Sequence, residues 1–210
     1  MSKEKLYIYD TTLRDGQQTH GIQFSTDDKL NISRLIDELG VDYIEGGWPG
    51  ANPTDSDFFS ASPKTSATLT AFGMTKRDGF SAENDDVLSA VINANTPTIC
   101  LVGKTHDFHV EKALGISLEN NLVNIKKSIE RLISSGREAI FDAEHFFDGF
   151  EANPNYALEC LRSAYTAGAR WLVLCDTNGG TLPSKVYKIT RAVIESGIPG
   201  SHIGIHCHND

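Results

Sequence analysis

Residues 171–210 read WLVLCDTNGGTLPSKVYKITRAVIESGIPGSHIGIHCHND. Two short apolar runs, WLVLCD (Trp171 to Asp176) and HIGIHCH (His202 to His208), flank a segment that opens at Pro183. That segment carries Val186, Ile189, Val193 and Ile194 at helical spacing and stops at Gly197. Strand, helix and strand in this order imply parallel strands with a covering helix. The same alternation extends back through the chain. Strand-like runs recur at LYIYD (Leu6 to Asp10), DYIEG (Asp42 to Gly46), ATLTAF (Ala67 to Phe72), TICLVG (Thr98 to Gly103) and AIFDAE (Ala139 to Glu144). One helix between them has Ile32, Leu35, Ile36 and Leu39 on one face, a capping box of Ser25 and Asp28, and a stop at Gly40. A longer one carries Leu118, Leu122, Ile125, Ile129 and Ile133 and ends at Gly136; another runs from near Asn155 to Gly168.

Seven strands alternating with helices predict an α/β chain of the TIM (β/α)8-type barrel, stopping after the seventh strand, with residues 1–210 forming one catalytic barrel domain. A doubly wound open sheet calls for a glycine-rich phosphate turn after an early strand, and TTLRDG (Thr11 to Gly16) is not GxGxxG. In a barrel the loops after the strands share one rim. Arg14 and Asp15, Glu45, Glu144, Asp176 and Thr177, and His206 and His208 all stand at such positions.

The chain has 210 residues, 40% of them hydrophobic, enough for a sizeable core. A formal charge of -9 and a pI near 5.2 offer no footprint for nucleic acid or an anionic membrane, so the expected partners are small molecules. Cys100, Cys160, Cys175 and Cys207 form no CxxC pair and sit in or beside apolar stretches, which predicts buried thiols in a reducing compartment. MSKEKLYIYD contains no long apolar segment, so no signal peptide or membrane span is expected, and the location expected is the cytoplasm.

Side chains alternate along a strand, so His206 and His208 share one face and Cys207 takes the other. Two imidazoles and the Asp15 carboxylate make a divalent-metal site with open positions, suited to Zn, Mn, Co or Mg. Cys207, in register with Ile203 and Ile205, is expected to pack against helices. His20, His106, His145 and His202 show no partner in the sequence, and solvated or packing roles are expected for them.

YDTTLRDGQQ, DELGVDYIEGGWPGANPTD, FDAEHFFDGF, CDTNGGTLP and HCHND together resemble the catalytic barrel of the 2-isopropylmalate, homocitrate and citramalate synthases, a group that extends to hydroxymethylglutaryl-CoA lyase. Gln17 and Gln18, with IEGGWPGANP (Ile44 to Pro53), are similar to the citramalate synthase branch. The resemblance implies a Claisen-type condensation of acetyl-CoA, as co-substrate, with pyruvate. A divalent cation on Asp15, His206 and His208 would polarise the ketone, and Arg14 would place a fixed positive charge where the alkoxide forms. It further implies that Thr177 holds the substrate carboxylate, that Glu144 takes part in acid-base work, that His109 lies near the keto acid, and that the protein forms a homodimer. Glu45 stays open between a structural and a site role, and His109 between the substrate and a surface position. Condensation on 2-ketoisovalerate or 2-ketoglutarate, a lyase running similar chemistry backwards, and a metal-binding fragment without turnover are the alternatives. The lyase would favour a flexible catalytic-cysteine loop, which the sequence does not contain.

Overall fold

The computed structural model describes residues 5–208, so Asn209 and Asp210 of the HCHND motif and the first four residues lie outside the described residues. The chain divides into two compact units, residues 1–73 with 89–99 and residues 74–88 with 100–210.

In the first unit, β1 (Tyr9–Asp10), β2 (Tyr43–Gly47) and β3 (Thr68–Met74) follow one another in chain order. Both pairings are parallel, with Tyr9 beside Tyr43 and Tyr43 beside Thr68. The run LYIYD yields only two strand residues, although the Ile8 carbonyl still accepts from the backbone N–H groups of Asp42 and Tyr43 at 2.9 and 3.1 Å. The helix α1 (Thr26–Glu38) opens on the expected capping box: the Ser25 hydroxyl accepts from the Asp28 N–H, and the Asp28 carboxylate accepts from the Ser25 N–H. Its inward face differs from the expected stripe. Leu35 and Leu39 are 55% and 79% exposed, and the buried face is Lys29, Ser33 and Ile36. The helix α2 (Pro53–Ser60) starts where the Asn52 side chain accepts from the Thr54 N–H, with Pro53 in its first turn.

In the second unit the strand order is β4 (Thr98–Lys104), β5 (Glu138–Glu144), β6 (Trp171–Asp176) and β7 (Ile203–Cys207). The β5·β6 and β6·β7 pairs are parallel, with Asp142 beside Val173 and Cys175 beside His206. The helix α3 (Asp86–Asn93) has residues in both units, and the helices of the second are α4 (Asp107–His109) continuing into a wider turn at Val110–Leu114, α5 (Leu118–Ser134), α6 (Phe146–Ala152), α7 (Pro154–Thr166) and α8 (Pro183–Glu195). Phe141, Ala143, Leu172 and Leu174 are buried on the face beneath α5 and α7. The buried stripe of α5 includes polar residues whose groups are satisfied: Asn121 donates to the Lys104 carbonyl at 2.9 Å and to the Tyr156 hydroxyl at 2.7 Å. Ile133 of α5 and Ile194 of α8 lie at 41% and 40% exposure, outside the cores the helical spacing assigned them to.

Three of the four cysteines are buried as expected, and burial pushes the Cys160 thiol up to about 12. Cys207 is the correction: it is exposed, together with Ile205 on the same face of β7. Parallel strands alternating with helices in chain order are the expected α/β, (β/α)8-type arrangement, with seven strands among the described residues.

Candidate active site

The turn after β1 is wound tightly, because the N–H groups of Arg14, Asp15 and Gly16 all point at the Thr11 carbonyl, at 3.1, 2.8 and 3.1 Å. Asp10 closes its base by accepting from the Thr12 N–H at 2.9 Å. From this turn the Arg14 guanidinium lies over the Phe72 ring, 4.0 Å from its centroid, and donates through Nε to Glu45 at 2.6 Å and through Nη1 to Asp15 at 3.1 Å. Glu45 is fully buried on β2, and its other oxygen accepts from the Tyr9 hydroxyl at 2.8 Å. Glu45 thus fixes the plane of the guanidinium, and Tyr9 fixes Glu45. Below the following loop, Lys29 and Asp55 form an ion pair with neither side chain open to solvent. Lys29 also donates to the Gly46 carbonyl at 2.8 Å, and Asp55 accepts from the Trp48 N–H at 2.7 Å. Gly47 has φ +142, and a Cβ there would lie inside the Asp55 carboxyl, so the glycine at this position is what admits the ion pair.

In the second unit, the face opposite the buried apolar one carries Asp142 and Glu144 of β5, Cys175 of β6, and His206 of β7 followed by His208. The His206 and His208 rings stack at 4.8 Å, 19° from parallel. Asp176, on the other face, organises the CDTNGG loop: its carboxylate accepts from the Thr181 N–H at 3.0 Å and the Thr181 hydroxyl at 2.8 Å, and its carbonyl accepts from the Gly179 N–H at 3.0 Å. Gly179 (φ +64) passes so close to His208 that a Cβ would come within 2.9 Å of the His208 carbonyl oxygen. Thr177, in the same loop, accepts from the His145 backbone N–H at 2.9 Å, which directs its own O–H elsewhere. Glu144 forms an ion pair with Lys104 from the end of β4.

Beside that pair stand three imidazoles. His109 stacks on His106 at 4.7 Å and meets His145 edge-on at 4.5 Å. Burial, then the neighbouring His145 and His106, hold His109 below the usual imidazole value. His106 and His145 thus pack against the His109 ring. His202 does pack, edge-on to Tyr165 at 5.2 Å with Nδ1 2.9 Å from the Arg170 carbonyl oxygen.

Of the residues expected from sequence, Arg14 and Asp15 come together in the first unit; His206 and His208 come together in the second, where His109, Glu144 and Thr177 also lie. Sequence reasoning missed Lys104, Tyr9, Asp142 and Cys175. Period-two alternation from Glu144 would have found Asp142; Cys175 needs in addition the register that sets it beside His206. Asp142, Cys175 and His206 bring a carboxylate oxygen, a thiol sulfur and an imidazole nitrogen within 4.8 Å of one another.

The model of the HMGL-like family matches residues 5–210. The chain belongs to the HMGL-like family. This member is 50% identical over 210 residues to the (R)-citramalate synthase of Aquifex aeolicus, a match covering 99% of this chain and 40% of that protein. It is 49% identical to the (R)-citramalate synthase of Synechocystis, with the same coverage on both sides. A probable 2-isopropylmalate synthase of Methanopyrus kandleri matches at 30% identity over 99% of this chain and 39% of that protein. The chain thus spans about 40% of the length of these curated relatives. The solved HMG-CoA lyase of Bacillus subtilis shares the fold, with a TM-score of 0.76 at 18% identity, covering 99% of this chain and 70% of that one. Among the described residues no helix is long and apolar enough to cross a membrane.

Proposed function

We propose that this chain carries the catalytic barrel of a citramalate synthase, which joins acetyl-CoA to pyruvate. A proton leaves the acetyl methyl, the resulting carbon bonds to the keto carbon, the alkoxide takes up a proton, and water cleaves the thioester to release the free thiol of CoA. The observation that carries the reading is the name shared by the relatives at 44 to 50% identity over nearly this whole chain, against about 30% for 2-isopropylmalate synthases. Asp15, His206 and His208 would hold a divalent cation, since two imidazoles and a carboxylate are a donor set for Zn, Mn or Co. Such an ion supplies Lewis-acid polarisation of the ketone when bound.

The chain's own residues do the rest. Arg14, oriented by Glu45, sets a planar cation beside Asp15, where one well-aimed donor to a developing oxyanion is worth about 3 kcal/mol. Thr177 donates its hydroxyl to the substrate carboxylate, since its oxygen already serves the His145 N–H. Glu144, oriented by Lys104, moves a proton at the reacting centre. His109, depressed below the usual imidazole value, stands near the keto acid as a neutral hydrogen-bonding ring. A homodimer in the cytoplasm completes the proposal, with size-exclusion chromatography as the check on assembly.

The test measures thiol release from acetyl-CoA with pyruvate, 2-ketoisovalerate and 2-ketoglutarate in parallel. Pyruvate should give the highest kcat/KM. Preference for a larger keto acid, or cleavage of a hydroxyacyl-CoA without condensation, would overturn the assignment.

A further inference from the structure

The face of β5, β6 and β7 that holds His206 carries two donor residues that the proposed reaction does not use, Asp142 and Cys175. Cys175 lies directly beside His206 in the β6·β7 register. Asp142 lies beside Val173, two residues before Cys175, so it occupies the diagonal position on the same face. Directly opposed side chains start about 5 Å apart at Cβ and diagonal ones about 7 Å, a span that one carboxylate, one thiol and one imidazole can close. Their ligand atoms already lie within 4.8 Å of one another. Tetrahedral coordination with Zn–S of ~2.3 Å and Zn–N or Zn–O of ~2.1 Å sets ligand atoms about 3.5 Å apart. The remaining closure is at most about 1.3 Å, within reach of small side-chain rotations.

Asp142 and Cys175 are each only 6% exposed, whereas Asp15 and His208 are half-buried. A cation entering this inner group must shed water, which Mg2+ does reluctantly, and a sulfur ligand selects Zn2+ or Cd2+ over Mg2+ or Mn2+. Coordination replaces the long contact in which the Cys175 thiol donates to the Val173 carbonyl at 3.6 Å, and releases the thiol proton to solvent.

We propose that Asp142, Cys175 and His206 form an inner site for thiophilic divalent cations, and that filling it draws His206 away from the set it shares with Asp15 and His208, inhibiting the enzyme. The inhibitory half rests on the catalytic role given to His206 above; the binding half does not. Zn2+ is then an inhibitor at raised concentration even where it supports turnover at low concentration.

Metal-stripped protein titrated with Co2+ tests the binding half, because cobalt bonded to a thiolate shows a near-ultraviolet sulfur-to-metal charge-transfer band that cobalt on nitrogen and oxygen lacks. The band should appear in the native sequence and in Asp15→Asn and His208→Ala, persist in Cys207→Ser, and vanish in Cys175→Ser. A native protein without the band, or a band surviving in Cys175→Ser, overturns the site. Should Cys175→Ser fail to fold, Zn2+ protection of Cys175 from a thiol reagent in the native protein, mapped by peptide mass, decides the matter: protection by Zn2+ but not Mg2+ upholds the site, and equal labelling refutes it. For inhibition, the Zn2+ concentration that halves Mn2+-supported turnover should rise by at least ~10- to 100-fold in Cys175→Ser, since even removal of an outer-shell partner weakens metal binding that much. An unshifted value refutes the inhibitory half. A thiolate band in a protein that condenses no keto acid leaves the inner site standing and removes the citramalate synthase reading.

Discussion

Replacing Lys29 by Met separates a buried ion pair from ordinary packing. Lys29 is fully buried; its amine meets the Asp55 carboxylate and donates to the Gly46 carbonyl at 2.8 Å. Asp55 keeps the Trp48 N–H at 2.7 Å and a long bond from Gln17 at 3.4 Å, so the variant leaves one carboxylate with neutral donors only and one carbonyl without its partner. Removing one member of such a pair costs about 3–5 kcal/mol, a large share of the roughly 5–15 kcal/mol that holds a domain folded. At about 2–4 °C per kcal/mol for a chain of this size, the midpoint should fall by roughly 6–20 °C. Asp55→Asn should cost a comparable amount, because it strands the ammonium. The double variant Lys29→Met with Asp55→Asn removes both charges and keeps an acceptor for the Trp48 N–H, so it should lie only ~1–3 kcal/mol below the parent, the cost of the unpaired Gly46 carbonyl. Denaturant unfolding followed by the fluorescence of Trp48, which sits in this network, reads all four proteins. Single losses that simply add in the double variant, to within about 0.5 kcal/mol, would refute the coupling.

Glu45→Gln should lower kcat by about 10-fold or more with a smaller change in KM for pyruvate, because a charge-assisted bond worth ~1.5–3 kcal/mol orients Arg14; steady-state kinetics checks it, and Tyr9→Phe, which removes a neutral donor, should cost only a few-fold. Asp15→Asn or His208→Ala should abolish calorimetric binding of Mn2+ while leaving the unfolding midpoint nearly in place, since both side chains are half-buried in segments that follow strands and not in the packed core. The depressed His109 makes the folded state bind fewer protons than the unfolded chain just below pH ~6.5, so stability should rise with pH through that window and level off above it; unfolding curves from pH 5 upward, flattened by His109→Asn, are the check. Gly47→Ala should destabilise by at least ~1–3 kcal/mol, since it combines a positive φ with a Cβ inside the Asp55 carboxyl, and the same denaturant assay reads it.

The central strands were legible because a strand covered on both faces is a short continuous apolar run with sharp ends: WLVLCD forms β6 over the residues expected. LYIYD was not, since apolar content alone does not supply the neighbour that pairs with it, and Leu6 and Ile8 remain 80% and 50% exposed. The α1 stripe failed for a related reason. Helical spacing counts Leu35 and Leu39 as inward, yet the buried face holds Lys29, whose long chain carries its amine to Gly46 and Asp55; no hydrophobicity pattern marks a lysine as core.

The legible part of the site is the part that strand periodicity dictates. His206 and His208 share a face because a strand repeats every two residues, and Asp142, Glu144 and Cys175 follow from the same rule once neighbouring strands are set in register. What escaped depends on which loops meet. Lys104 and Glu144 stand 40 positions apart by their numbers in the sequence, Arg14 and Glu45 are 31 apart, and Thr177 and the His145 N–H are 32 apart. His145 adds a local reason: it sits at φ 54, a left-handed conformation uncommon for a side-chain-bearing residue, so its ring leaves the strand's alternation and turns to His109. Strain of this kind persists only where surrounding contacts over-determine it. Here the contacts are the Thr177 hydroxyl on the His145 N–H and the edge-on His109 ring, which ties Thr177 and the imidazole cluster to one backbone position. His145→Gly should therefore keep the Thr177 bond while losing the ring contact, and the two roles of that position become separable in a single variant.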